Sequence, residues 1–491
     1  MYFNDFSITF TIIFLLGWYA CQAVAYYKFF EKAGEQGWIG LVPFYNYYVH
    51  MKIVGRPTWW VLLLFVPVVN FFIALTIHLD LLKSFGRYSY FDQSVGVVFA
   101  PFYMIYIAFS DATYHGKATE IPKRTRTVPQ EWFEAIVFAV FAATFIRWVF
   151  MEAYVIPTPS MEKSLLVGDF LFVSKINYGP RTPKTPLQIP LTHAKIWGTE
   201  IPSYLESVQL PQFRLPSLSK VERNDVVVFN YPANDSYNQR PDGGYHPLDL
   251  KTHYIKRCVA VAGDTIEVRK GQVYINGELG DNPELMQHNY FIKANKIISD
   301  HNWAKIIDKY DLSRDLRPVK LQGGITSFFA MTNAEVAGEL EKLEFIDSVT
   351  KQLRDSAQVE QDIFPDSRYF PWNADNFGPL ELPYRGLTID VDEYTMAKYG
   401  STIESYEDLD NVKIELDQLT VDGNLVNTYT FKKDYYFMMG DNRHNSADSR
   451  YWGFVPEDFV VGEASFIWMS LDETKPFLRK IRWSRLFKGI D

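Results

Sequence analysis

Apolar and polar positions divide the chain into two parts. The first third carries long apolar runs, and the remainder alternates in the short runs expected of strands. Four runs approach the roughly 20 apolar residues that a bilayer span requires. They are SITFTIIFLLGWYACQAVAYY (7–27), TWWVLLLFVPVVNFFIALTI (58–77), the shorter SVGVVFAPFYMIYIAF (94–109) and AIVFAVFAATFIRWVFMEAYVI (135–156). Each predicts a helix. The last run contains Arg147 and Glu152, so only its first part is cleanly apolar, but a long side chain near a helix end can snorkel, and Arg147 does not exclude a span. MYFNDF has no basic residue, so the first run reads as a retained helix, not a cleavable leader. Lys28, Lys32, Lys52 and Arg56 load one connection, and Lys117, Lys123, Arg124 and Arg126 another. Only Lys83 and Arg87 separate the second and third runs. The positive-inside rule then puts everything after residue 156 outside the cytoplasm. GWIGLVPFYNYYVHMKIVGRP suggests a re-entrant or interfacial piece.

From residue 165 the period changes. LLVGDFLFVSK and RNDVVVFNYP are Val- and Phe-rich runs bounded by turn residues. THYIKRCVAVAGDTIEVRKGQVYINGE predicts three strands, with AGD, KGQ and the tight-turn dipeptide NG between or after them. Strands return over 413–439 and 450–468. This predicts an antiparallel, barrel-like β domain. Residues 179–220 are Pro-rich, and 233–250 are polar. Residues 281–412 are too long for a bare loop and predict an inserted subdomain, with a helix candidate at NAEVAGELEKLEFIDSVTKQLRD.

Composition changes the picture in two places. A net charge of -9 argues against a nucleic-acid partner. Two cysteines, Cys21 and Cys258, make no disulfide framework and read as core residues. The tail KPFLRKIRWSRLFKGI is basic and amphipathic. It suits a surface strand or helix end, or contact with anionic lipid headgroups.

The chemistry centres on YVIPTPSMEKSLLVGDFLFVSK, where Ser160 follows two prolines directly beyond an apolar run. A serine needs a base to become nucleophilic. His444 is the best placed histidine, but no Ser-His-Asp order stands out. Lys163 formally completes S-x-x-K, but the prolines disfavour the helix that this motif needs, and K-T-G is absent. Lys256, in YIKRCVAVAGD, shares a strand face with Tyr254 and Cys258. If buried it would lose its charge and could act as a base. Spacing alone leaves it equally a snorkelling surface lysine. Arg257 stays protonated and cannot serve. GDNRHNSADSRYWGFVP holds Asp441, Arg443, Asp448 and Arg450, which suggest a loop-holding network with Ser446 orienting a base. It lacks EF-hand spacing, so no metal is expected.

PTPSMEKSLLVGDFLFVSK, RNDVVVFNYP, YIKRCVAVAGD and GDNRHNSADSRYWGFVP occur in that order and together resemble the conserved boxes of bacterial type I signal peptidases, and WNADNFGPLELPYRGLTI with the long insert resembles the Bacteroidetes form. The resemblance implies a Ser/Lys dyad peptidase with Ser160 as nucleophile and Lys256 as general base. Ser446 would hydrogen-bond Lys256. Thr158 and the Ser160 N–H would form the oxyanion hole, and Asp441, Arg443, Asp448 and Arg450 would support the site. Thr158, Pro159, Lys163 and Ser164 depart from the usual first box, and His444 stands where an Asp is usual.

The expected fold is an N-terminal α-helical membrane region plus a mainly-β catalytic domain, a signal-peptidase-like coiled β-barrel core with a large α+β insertion. Residues 1–130 form the multi-span region and 131–156 the anchoring helix. The β core comprises 157–280 and 413–491, interrupted by the subdomain 281–412. The resemblance implies removal of signal peptides with small residues before the cut, at the outer face of the cytoplasmic membrane. The expected partners are preprotein signal peptides, the lipid bilayer and the secretion translocon, with no cofactor. The alternative is a catalytically silent membrane assembly or binding protein on the same fold.

Overall fold

The computed structural model describes residues 3–65, 69–121, 128–199, 201–233, 239, 244–312, 317–321, 324–409 and 411–490. The chain divides into two units, Met1–Glu131 and Trp132–Asp491. The first is helical. Helices Phe3–Lys32, Tyr45–Val54, Val69–Ser84 and Ala100–Phe109 enclose a core that includes Tyr26, Phe29, Phe30, Ile53, Leu81, Phe85 and Ile107. The 37–57 segment forms the short turn Gly37–Leu41 followed by Tyr45–Val54.

Among the described residues, no helix is long and apolar enough to cross a membrane. The four expected spans are corrected accordingly. The second run yields the single turn Trp60–Leu63 and then Val69–Ser84. The third breaks into Tyr90–Val98 and Ala100–Phe109, with Pro101 in the first turn of the latter, where its missing N–H costs nothing. The fourth is not one element. Helix Val128–Val149 stops, and Met151–Val155 is already a strand. The reason is Glu152, which is buried between Arg147 at 2.5 Å and Lys175 at 2.7 Å. The basic flank at 122–127 lies outside the described residues.

The second unit is built on an antiparallel sheet. Its strands are β1 (Met151–Val155), β2 (Asp169–Ser174), β3 (Val226–Asn230), β4 (His253–Ala260), β5 (Tyr435–Met439), β6 (Val455–Pro456), β7 (Val460–Ser470) and β8 (Lys488–Gly489). They run in the order β1-β2-β7-β3-β4-β5-β6, with β8 on β7, an open curled sheet that fits the mainly-β, barrel-like core expected. Alternation accounts for β2, whose residues Leu171 and Val173 are buried while Phe170 and Phe172 are half-buried. β3 is buried along its whole length, as its unbroken VVVF run requires.

The turn signals hold. Asn276 and Gly277 are both left-handed, with φ 55 and 83, and they join Gln272–Ile275 to Glu278–Leu279 with Ile275 opposite Glu278. This is the two-residue hairpin for which Asn-Gly is suited. Within 281–412, strands His288–Ile298, Arg317–Leu321, Gly324–Thr332 and Ile346–Lys351 form a separate sheet, packed with helices Asp300–Tyr310 and Ala334–Glu341 around Ile292, Ile306, Phe328 and Leu340. The helix expected over 333–355 is shorter. Asn333 caps it, and the β-branched residues Ile346, Val349 and Thr350 pair with His288–Ile298 instead.

Candidate active site

β1 and β2 pair through Val155 opposite Phe170, and the turn between them carries Ser160. Thr158 is extended and exposed, and Pro159–Met161 form a single 3-10 turn closed by Glu162 N–H donating to Pro159 O at 3.0 Å. Met161 is fully buried, and its Sδ accepts from Asp441 N–H at 3.4 Å. Asn442 holds the turn from the opposite side. Its N–H donates to Ser160 O at 3.1 Å and its Nδ2 to Pro159 O at 3.1 Å.

Lys256 projects from β4, where it lies opposite Val227 of the buried β3. Its Nζ is 2.7 Å from Ser160 Oγ and 2.8 Å from Ile255 O. The side chain is almost completely buried, and Nζ lies 5.5 Å from the Tyr254 ring centroid. Burial pushes its pKa down to about 8, against the pull of the Asp448 and Asp441 carboxylates. That shift makes the charged form about 3 kcal/mol costlier than in water.

The other two candidate bases are occupied elsewhere. Lys163 adopts φ 71, so it shares no helical face with Ser160, and its Nζ donates to Asp311 O at 2.5 Å. The His444 ring is fixed by Asp375 Oδ1 at 2.7 Å and by the Asn289 N–H at 3.0 Å.

Ser446 departs from expectation. Its hydroxyl donates to Ala447 O at 3.4 Å and makes no hydrogen bond to Lys256. The ion pairs also differ from the grouping suggested by the sequence. Asp441 is held by Arg257, with Nε and Nη2 each 2.9 Å from a carboxylate oxygen. Asp448 pairs with Arg450 at 2.8 Å, and Arg450 also donates to Arg443 O at 2.6 Å. Burial pushes the Asp448 carboxyl up, but Arg450 outweighs it and holds it below the usual range. The Arg443 guanidinium is buried, and its Nε and Nη1 lack a hydrogen-bond partner among the described residues. Among these residues no cluster of His, Cys, Asp or Glu could hold a metal ion.

A family model described as signal peptidase, peptidase S26, matches residues 129–316 and 384–469. The chain belongs to the signal peptidase family, peptidase S26. It is similar to signal peptidase I of Buchnera aphidicola from Acyrthosiphon pisum, 28% identical over 70% of this chain and 76% of the relative. The Haemophilus influenzae signal peptidase I is 26% identical, covering 73% of this chain and 75% of the relative. That of Pseudomonas aeruginosa is 24% identical over 70% and 74%. These matches identify a hydrolase of the serine peptidase type. The S26 match omits 317–383, inside the inserted segment. Residues 38–117 match a family of unknown function, DUF5684.

Three residues of this site lie outside the roles expected from the sequence: Arg257, Asn442 and Gly440. Arg257, one position from Lys256, points to the opposite strand face, where the buried Asp441 carboxylate meets it. Asn442 carried no signal beyond its place in a polar loop. Gly440 did carry one, as a glycine directly after the apolar run YYFMM. A Cβ there would lie 2.3 Å from Ser446 Oγ and 2.5 Å from Ser160 O.

The basic tail also borders the site. Arg482 Nη1 donates to Val167 O at 2.9 Å, and Arg485 Nη2 donates to Ser164 O at 2.9 Å and meets Asp169 at 2.6 Å. Two of its charges therefore hold the loop that follows Ser160.

Proposed function

We propose that this S26 peptidase removes signal peptides from exported preproteins, with Ser160 as nucleophile and Lys256 as its general base. The observation that carries the reading is the 2.7 Å separation of Nζ and Oγ in a site where the amine is buried. A neutral Nζ has a lone pair to accept the Ser160 proton as Oγ attacks the scissile carbonyl, and it then returns that proton to the leaving amine. As ammonium it can only donate. Charge developing on the carbonyl oxygen needs donors. Ser160 stands in the first turn of its 3-10 helix, where N–H groups have no intrahelical partner, and the exposed Thr158 hydroxyl is two residues away. Asp441 and Asp448, each paired to an arginine, hold the 440–450 loop against the nucleophile turn. Ser446 supports that loop and does not aim the amine.

The test is processing of a labelled preprotein with small residues before its cut site, by wild type and by variants at the two dyad positions. The pH profile supplies a second check. A base whose pKa is depressed to about 8 is protonated below that value. Activity as kcat/KM should rise about tenfold per pH unit up to pH 8 and level off above it. At pH 7 about a tenth of the amine is neutral, against about three in ten thousand for an ordinary lysine. An ascending limb centred near 10.5 would contradict a buried base.

The site acts at the outer face of the cytoplasmic membrane in this reading, with the lipid bilayer and the secretion translocon as its surroundings. A preprotein is retained in the bilayer by its apolar segment, so a peptidase at that surface searches two dimensions instead of three. Protease added to intact spheroplasts should digest the region after residue 156, and protection of that region would place it in the cytoplasm.

A further inference from the structure

The nucleophile turn is attached to the inserted segment on two sides. On one side Gln287 forms a bridge with Asn442. The Gln287 N–H donates to Asp441 O at 2.9 Å, and the Arg443 N–H donates to Gln287 O at 3.0 Å. Asn442 is the residue that holds Ser160 O and Pro159 O. On the other side, Lys163 reaches the C-terminal end of helix Asp300–Tyr310. Its Nζ donates to Asp311 O at 2.5 Å and pairs with the Asp311 carboxylate.

Both partners of this second attachment are left-handed non-glycine residues, Lys163 with φ 71 and Asp311 with φ 46. Aspartate tolerates that conformation, whereas lysine gains nothing locally from it. A lysine held there needs a contact elsewhere. Asp311 caps its helix, so the ammonium also faces the negative end of the helix. Glu162, next in the chain, is half-buried and does not take the lysine: no ion pair joins them among the described residues. Lys163 is therefore turned outward from the dyad and toward the insertion.

We propose that Lys163 and Asp311 form a latch through which the inserted subdomain positions the nucleophile turn. Both are positioning residues, since neither touches the reacting atoms. Lys163 lies three residues from Ser160, and the latch and the Gln287 bridge hold the two ends of the same short turn. The subdomain thus frames the serine instead of hanging from the sheet as a separate body. This inference rests on Ser160 being the nucleophile.

The latch is tested with the full-length enzyme as a double-mutant cycle. Lys163→Gly removes both bonds of the tether and fits φ 71 without strain, whereas Asp311→Gly removes the carboxylate and leaves only the Asp311 O acceptor. The Asp311 side chain is 88% exposed, so water limits the effect. Each variant should lower kcat about two- to fivefold with KM within about twofold of wild type. The double variant should be no worse than Lys163→Gly alone. Reversing the pair, Lys163→Asp with Asp311→Lys, should recover at least half of the lost kcat. Additive losses, unchanged kcat in both single variants, or failure of the reversed pair to recover activity would each overturn the latch. Thermal melting of every variant separates lost positioning from lost folding, and the cycle is read on the folded fraction. Ser160→Ala run alongside keeps the two readings apart: residual cleavage there removes the nucleophile assignment, whereas an inactive Ser160→Ala leaves the kcat pattern to judge the latch alone.

Discussion

Ser160→Ala and Lys256→Ala should each abolish preprotein cleavage, with losses of at least about 10⁴-fold, because nucleophile and base act as one unit and the second adds little once the first is gone. Lys256→Arg should be as inactive, since a guanidinium stays protonated at any working pH. The control against misfolding is Lys256→Met. A lysine whose folded pKa is depressed to about 8 makes the native state carry a penalised charge below that pH, a cost relieved only as pH rises toward the unfolded value. An apolar side chain of similar length removes that cost. Lys256→Met should melt no lower than wild type at pH 7 and yet cleave nothing. Full activity in Lys256→Ala would end the base assignment, and a large drop in the melting temperature of Lys256→Met would contradict the burial argument.

Gly440→Ala should lower kcat by about 10²-fold in an enzyme that remains folded. Gly440 does not adopt a left-handed conformation, so alanine is not excluded by its backbone. The obstacle is steric. The added Cβ would lie 2.5 Å from Ser160 O, a backbone atom with no freedom to move aside, and 2.3 Å from Ser446 Oγ. Ser446 can rotate, but the nucleophile turn must shift. A displacement near 1 Å at a reacting group costs about two orders of magnitude. The loss should appear in kcat with KM little changed, because the substrate surface is untouched. Ser446→Ala in the same background removes one of the two clashes and should restore only a small part of the activity. Wild-type kcat in Gly440→Ala would show that the turn tolerates the shift and that its position is not critical.

Much of this site was legible as a string. Ser160 stood out because two prolines and a change of hydrophobic period flank it. Lys256 read equally as a surface lysine from its spacing, and only the family resemblance singled it out. The Asn276-Gly277 hairpin followed from two residues that tolerate positive φ. The long helices were less secure. Residues 135–156 are cleanly apolar only in their first part, and Glu152 ends up against Arg147 and Lys175 inside the strand that leads to Ser160. Residues 346–351 read as the end of a helix, but pairing with His288–Ile298 outweighed helical propensity there. The tail read as a basic surface segment, and two of its arginines are committed to the loop after Ser160.

The sequence by itself determined which groups were available: a hydroxyl after a proline turn, three candidate bases, and the acidic and basic residues of the 440–450 loop. Local rules suffice for that, since periodicity and turn chemistry depend on neighbours within a few positions. The family resemblance already pointed to Lys256, but only the tertiary structure brings it within 2.7 Å of the serine 96 positions away and gives Asp441 its partner Arg257, 184 positions away. It also sent Lys163 to Asp311 and His444 to Asp375. Those outcomes depend on which strands pair and which side chains lose their water. Burial lowers the pKa of Lys256 to about 8, and that burial is created by residues far apart in the chain.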